Sequence, residues 1–528
     1  LTDTPQNIKD MAAHMAARIE AEAAASPPAD DNGNGRADLS PQFIKDCLYA
    51  NEMGDGILYA AAMADDFIYN KSAKEWYAWL GHHWQRDILD RAVSSVEKVA
   101  QIYLDESWRV TRDLKDADEE NAAKLVKLRK DLIKRVNRLR TDRGRKAALK
   151  FSHTNLDNSL SLYGDEFDRQ DFLLACKNGV IDLRTGELRD GRQSEYLCKA
   201  SPIEYMGINA PAPVWEQTLN DIFQDDQELT RYMARVLGYG ATGSVKEHIL
   251  PVFYGQGRNG KGTIVETLRY ILGDLAAPIQ SEMLLDQGRS RSAAGPSSDI
   301  MSLWGLRFAF ASESDEGRRF SPSRVKWLSG GDTLTGRRPH DKENITFLPT
   351  HLLILLTNNK PKAPADDFAF WERVHLVPFN ISFVKREPRA DNERLADMDL
   401  DQKLMAEAPG ILAWLVRGCI DWQEQGINPP ELITEATRKY RRHEDQLADF
   451  LDECCYLDAD ETVGASPIYT LFRKWWAKNV SSKWIPSQRQ FGDWMSLKFK
   501  KDKHSISRTV IYYGVQIKPD THWWFDDD

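Results

Sequence analysis

No stretch of this 528-residue chain reaches the ~18 consecutive apolar residues of a membrane-spanning helix. Clean runs such as Leu352–Leu356 and Gly410–Val416 fall far short of that length. The start of the chain lacks the basic patch and apolar block of a secretory leader, being Ala-rich and mixed in charge. It begins at Leu1 rather than Met, so the expectation is a piece of a longer chain. Cysteine is sparse: Cys47, Cys176, Cys198, Cys419, Cys454 and Cys455, with no CxxC pair. That spacing argues against a zinc site and a disulfide scaffold, and fits a reducing compartment. An excess of positive charge is missing too, since 80 acidic residues outnumber 70 basic ones for a net charge of −10. Any nucleic acid must therefore be met by local basic surfaces.

What is present is ordinary for a globular protein: 42% apolar and 28% charged residues, in a length that suggests about three or four folding units. Residues 1–25 read as an Ala-rich helix and 26–40 (SPPADDNGNGRADLS) as a linker. In 69–87 two aromatic-rich pieces joined by Gly81 predict a small hairpin. From Asn121 to Lys150 twelve Lys and Arg face two Asp, and Leu125, Leu128, Leu132, Val136 and Leu139 recur at helical spacing. Two readings stand for this basic helix: a solvated charged face on a packed helix, or a phosphate-contacting face. Residues 171–189 predict two short strands around Arg184-Thr185-Gly186, and 216–240 a helical stretch. Residues 250–383 alternate apolar strands with helices, the pattern of an α/β domain with a mostly parallel sheet. Residues 400–425 and 431–455 read as helical, and from Ala465 helices give way to a β-rich end.

The strongest local signal is ILPVFYGQGRNGKGT, Ile249 to Thr263. An apolar strand runs into Gly255-Gln256-Gly257-Arg258-Asn259-Gly260-Lys261, followed by Gly262, Thr263 and a helix, with the spacing of a P-loop. Glycines let successive backbone N–H groups curl around phosphate oxygens, and the helix directs its positive end at the same oxygens. Lys261 then reaches the β- and γ-phosphates of ATP. Gly262 stands where the usual Mg²⁺-binding hydroxyl belongs, leaving Thr263 as its substitute. Hydrolysis also needs an acid at a neighbouring strand end, and LRFAFASESDEG offers Glu313, with Asp315 and Glu316 as loop residues. Downstream, HLLILLTNN ends in Asn358, an amide placed to bond a γ-phosphate or the attacking water. Arg373 in FAFWERVHLVPF is a candidate for stabilising transition-state charge, or a salt-bridge residue.

Together NGVIDLRTGEL, GQGRNGKGT, ASESDEG, LSGGDTLTGRR, LLTNNKP and FWERVHLVPF, spanning about 170 to 383, resemble the superfamily 3 helicases. The resemblance is strongest to the phage and plasmid primase-helicase family related to the poxvirus helicase-primase. It implies a homohexameric ring of AAA+-like P-loop ATPase domains moving on single-stranded or forked DNA, usually 3′ to 5′, with ATP and Mg between subunits. Lys261 would be the Walker A lysine, Glu313 the Walker B carboxylate that with Thr263 serves the Mg, Asn358 the sensor, and Arg373 a finger from the next subunit. Glu372 stands where the family often has another arginine. Arg337, Arg338, His340 and Lys342 fall where the family carries a channel-lining hairpin, with donors suited to backbone phosphates.

The implied fold class is α/β. Residues 1–60 would be an N-terminal helix and linker, 61–210 an α+β region, 211–400 the helicase ATPase domain, and 401–528 a helical and winged-helix-like DNA-binding end. Between Ser466 and Lys518 eleven Lys and Arg face two Asp, among Trp475, Trp476, Trp484, Trp494, Tyr512 and Tyr513. Those aromatics read either as a nucleic-acid surface or as a small core. No carboxylate cluster for priming stands out in 1–160, so a primase domain or protein is expected as a separate partner. The expected setting is a bacterial host cytoplasm, away from membranes. The rival readings are an ATP-gated origin-binding initiator and a P-loop kinase.

Overall fold

The computed structural model describes residues 39–154, 160–286, 297–313, 315–337, 344–480, 482, 484–503 and 509–519. The expected helix of 1–25 lies outside them. Two compact units divide the chain, one running to Asp182 and resuming over Glu187–Tyr205, the other formed by Leu183–Gly186 and Met206 onward.

In the first unit α1 (Pro41–Tyr49) and α2 (Asn51–Ala62) precede a meander of β1 (Phe67–Asn70), β2 (Glu75–Trp79) and β3 (Trp84–Arg86). The β2–β3 hairpin turns at Gly81, whose φ of 88° favours glycine. The basic helix expected over 121–150 is two helices, α4 (Glu119–Leu139) and α5 (Asp142–Ser152), which follow α3 (Val96–Asp113). Thr141 makes the break, since its hydroxyl accepts the Gly144 N–H at 3.1 Å and so caps α5. Leu128, Leu132, Val136 and Leu139 are buried in one cluster with Val96, Val99 and Tyr103. Arginines of the α4–α5 segment meet acids on neighbouring helices: Arg135 with Asp55 at 3.1 Å, Arg140 and Arg145 with Glu97 at 2.8 and 3.2 Å, and Arg138 with Glu52. β4 (Ser161–Leu162) joins β1 in parallel. The 171–189 segment carries three strands rather than two, β5 (Leu173–Cys176), β6 (Gly179–Asp182) and β7 (Glu187–Arg189).

The second unit opens with α6 (Pro213–Phe223) and α7 (Gln227–Gly240) in place of a single helical stretch. Gln224 and Asp225 take left-handed φ of 57° and 59°, and Asp226 caps α7 through the Leu229 N–H at 2.9 Å. Then come β8 (Leu250–Tyr254), α8 (Lys261–Leu272), β9 (Ala276–Ile279), β10 (Phe308–Glu313), α9 (Pro322–Ser329), β11 (Leu334–Gly336), β12 (Ile345–Phe347), β13 (Leu352–Thr357) and β14 (Val374–Pro378). Five of these form a wholly parallel sheet in the order β14-β8-β13-β10-β9. A parallel sheet is covered on both faces, and its strands are accordingly near-continuous apolar runs such as LLILLT. β11 and β12 form a separate antiparallel hairpin, and β15 (Ser382–Val384) pairs with β16 (Glu393–Leu395).

Helices α10 (Leu400–Ala406), α11 (Ala408–Gln425), α12 (Glu431–His443) and α13 (Gln446–Cys454) follow. The last segment holds β17 (Cys455–Tyr456), β18 (Thr462–Gly464), α14 (Ala465–Asn479), α15 (Gln488–Lys498), β19 (Lys501–Lys503), β20 (Val510–Tyr513) and β21 (Gln516–Ile517). The expected switch to strands at Ala465 therefore comes only after Lys498. Ile468, Leu471, Phe472, Trp475 and Trp476 recur at helical spacing and are buried, so packing overrides the β preference of the aromatics. Tyr512 joins the same core, while Trp484 and Tyr513 stay exposed. Among the described residues no helix is long and apolar enough to cross a membrane.

Candidate functional site

Tyr254, Thr357 and Glu313 stand in register at the carboxyl ends of β8, β13 and β10, three neighbouring strands. The chain leaves Tyr254 through Gly255–Gly260 and enters α8 at Lys261. Above these strand ends lies a cleft of about 360 Å³ lined by the loop from Gly257 to Thr263 and by Glu313, Thr357 and Asn358.

The loop is held at both ends. Gly255 donates its N–H to the Thr357 carbonyl at 3.2 Å. The buried Asn259 amide donates to the Phe379 carbonyl at 3.3 Å, and the Phe383 N–H donates to the Arg258 carbonyl at 2.6 Å. Two glycines are required by this geometry. A Cβ at Gly255 would collide with the Asn259 side chain and the Phe379 carbonyl, and one at Gly260, where φ is 86°, with Ile222. Gly262 is different: open space surrounds the position of its missing Cβ. Thr263 is half-buried beside it in the first turn of α8, whose leading N–H groups have no acceptor inside the helix.

Lys261 is buried, and its ammonium donates to the Gly255 carbonyl and, at 3.3 Å, to Asn358 Oδ1. Among the described residues no carboxylate lies within ion-pair distance of it. Burial lowers its pKa to about 8. Glu313 is buried as well, with Oε2 accepting from the Ser281 hydroxyl at 3.1 Å and Oε1 from the Asp315 N–H at 2.8 Å. The Arg318 guanidinium stands 3.5 Å from Oε2. Ser281 and Arg318 escape a sequence reading, because neither lies in a motif and both reach Glu313 through packing. Asp315 and Glu316 are exposed, in keeping with a solvated loop.

The remaining expected residues lie elsewhere. Arg373 precedes β14, and its carbonyl accepts the Leu250 N–H at the far end of β8 from the loop. Within one chain it is therefore not part of the cleft. Arg337, just past β11 on the loop side of the hairpin, exchanges backbone and side-chain bonds with Ser297. Arg338, His340 and Lys342 fall outside the described residues. Among the described residues no cluster of three or more His, Cys, Asp or Glu is arranged to hold a metal ion.

Residues 57–224 match the D5 N terminal like domain family. "Putative helicase L207/L206" of Acanthamoeba polyphaga mimivirus is 28% identical over 335 residues, covering 60% of this chain and 34% of that protein. "Putative helicase 022R" of Frog virus 3 is 25% identical, covering 60% and 40%. "Putative primase C962R" of African swine fever virus is 22% identical, covering 60% and 34%. The chain thus spans between about a third and two fifths of these relatives' length. Two solved chains, both titled as A form apo structures of the NrS-1 C terminal region, align at 14% and 12% identity with TM-scores of 0.33 and 0.35. They cover 54% and 58% of this chain, and 63% and 78% of their own, and at those scores carry no argument. The domain match at 57–224 and relatives named as helicases and primases of large DNA viruses together show a likeness to the poxvirus-like primase-helicase family.

Proposed function

We propose that the chain is an ATP-dependent DNA helicase or translocase of a phage, plasmid or integrated-element replication fork, built on a P-loop ATPase core and working as a ring on single-stranded DNA. The observation that carries this reading is the company of Lys261. Among the described residues this buried cation at the head of a helix has no counter-ion and is bonded to neutral oxygens, with Glu313 and Asn358 at the adjacent strand ends. Such a site suits an anion that replaces those oxygens. The loop also follows β8, whose chain crosses toward β9 while its neighbour β13 connects the other way to β14, and such a reversal between adjacent strands is where open α/β sheets place their ligands.

In this reading the loop N–H groups and Lys261 hold the β- and γ-phosphates, and Asn358 orients the γ-phosphate or the attacking water. Glu313 polarises that water, and Ser281, Arg318 and the Asp315 N–H fix its carboxylate. Thr263 and Glu313 are the residues that would hold Mg²⁺, which would supply charge neutralisation on the phosphates. Arg373, remote from its own cleft, would act on that of the next subunit. The basic, exposed Lys500, Lys501 and Lys503 beside a three-stranded β18-β20-β19 sheet support a winged-helix-like end that meets DNA.

The test is ATP hydrolysis by the purified chain with and without a single-stranded oligonucleotide, together with displacement of a strand from a fork. Stimulated hydrolysis and ATP-driven displacement are expected. A protein with neither nucleotide affinity nor a response to oligonucleotide would end this reading. Duplex binding without displacement would move the assignment to an ATP-gated initiator.

A further inference from the structure

The helix that leads into the β11–β12 hairpin also holds the turn that carries Arg373. α9 ends at Ser329, and only residues 330–333 separate it from β11. On its inner side Val325 and Leu328 share one apolar cluster with Phe320, Phe370 and Trp371, and the Phe320 and Phe370 rings lie 5.1 Å apart. Lys326 of the same helix places its ammonium 2.8 Å from Asp367 Oδ2 and 3.2 Å from Oδ1.

Asp367 does two things at once. Its Oδ1 accepts the Phe370 N–H at 3.0 Å and so caps the short helical turn Phe368–Trp371. That turn fixes Arg373, whose Nη1 donates to the Ala369 carbonyl at 2.6 Å. Among the described residues no acceptor meets the buried Arg373 Nε. The hairpin root, the ion pair, the capped turn and the arginine are therefore joined by direct contacts.

We propose that Lys326 and Asp367 form a positioning pair that makes the placement of Arg373 depend on the hairpin, so that a polynucleotide engaged there alters ATP turnover. This rests on the proposed roles of Arg373 in turnover and of the hairpin in DNA contact. The pair is partly exposed, with side-chain accessibilities of 35% and 22%, so its weight lies in geometry more than in stability. Small displacements of a charge-stabilising group have large effects on rate: 1 Å can cost about a hundredfold.

The experiment uses the full chain and three variants. Lys326→Met removes the charge and keeps the stem. Asp367→Asn removes the charge and keeps a capping side chain. Lys326→Arg keeps the charge. The expected result is a fall of about tenfold in oligonucleotide-stimulated kcat for Lys326→Met and Asp367→Asn, with KM for ATP unchanged and recovery in Lys326→Arg. The ratio of stimulated to unstimulated kcat falls toward one. An unchanged ratio in both charge-removing variants would overturn the proposal. So would an equal loss with and without oligonucleotide, which is the mark of a merely structural pair. Normal turnover by Lys261→Ala would instead reject the nucleotide site beneath it, a result that neither position 326 nor 367 can produce.

Discussion

Arg135 in the first unit and Lys261 in the second are both largely buried cations, and their surroundings differ. Arg135 meets the Asp55 carboxylate at 3.1 Å and donates to the Leu48 carbonyl and the Asn51 side chain, each within 3.1 Å. Asp55 in turn accepts from the Tyr103 hydroxyl at 3.2 Å, and burial pushes its carboxyl up to about 6 even beside the guanidinium. Among the described residues Lys261 has only the Gly255 carbonyl and Asn358 Oδ1. A cation whose charge is matched inside the protein is committed to the fold. A cation surrounded only by neutral oxygens is held ready for an anion from outside. The comparison bears on the basic segment as well, because α4 and α5 look like a phosphate-binding surface in sequence, yet several of their arginines are already matched by acids of α2 and α3.

The contrast breaks most visibly at Lys261. Lys261→Ala should lower ATP turnover by at least about a hundredfold and leave the melting temperature unchanged or raised; turnover within a fewfold of the parent would remove the anion site. Arg135→Met should do the reverse. Leaving Asp55 buried and unpaired should cost about 3–5 kcal/mol, read by urea unfolding of the first unit, with ATP affinity unaltered. A loss of nucleotide affinity in that variant would dissolve the distinction between the two cations.

A pH series sharpens the comparison further. With the free-protein pKa of Lys261 near 8, the ammonium deprotonates above that pH, while a bound polyanion keeps it protonated. ATP affinity should therefore fall as pH rises through about 8. Lys261→Arg should remain charged and lose this inflection. A flat profile in the parent protein would mean that Lys261 is not the phosphate ligand. The smallest effect is expected at Gly262→Ser. Open space receives the new side chain, so stability should shift by no more than about 0.5 kcal/mol and turnover should not drop. A marked fall in Mg-dependent hydrolysis would show that the bare backbone at this position is required.

What the sequence disclosed followed the range of the forces involved. The loop from Gly255 to Thr263 was legible because strand, glycines, lysine and helix are contiguous, and Glu313 and Asn358 because each closes an apolar run. Ser281 and Arg318 were not, since their approach to Glu313 depends on β9 lying beside β10 and on the turn that follows β10. The breaks at Thr141 and at Gln224–Asp226 carried cap signals that the longer apolar periodicity obscured. The separation of Arg373 from the cleft is a matter of strand direction. Its backbone meets the beginning of β8 and the loop leaves the end, and no local pattern states which end a neighbouring strand presents.

The anchoring of the glycine loop has a mechanical consequence. Asn259 and Arg258 fasten it to Phe379 and Phe383, the stretch that continues from the outermost strand of the sheet. A push on that border reaches the loop and its cleft through two hydrogen bonds, bypassing the interior of the sheet. In the proposed ring, neighbouring copies would then have a short lever on one another's grip.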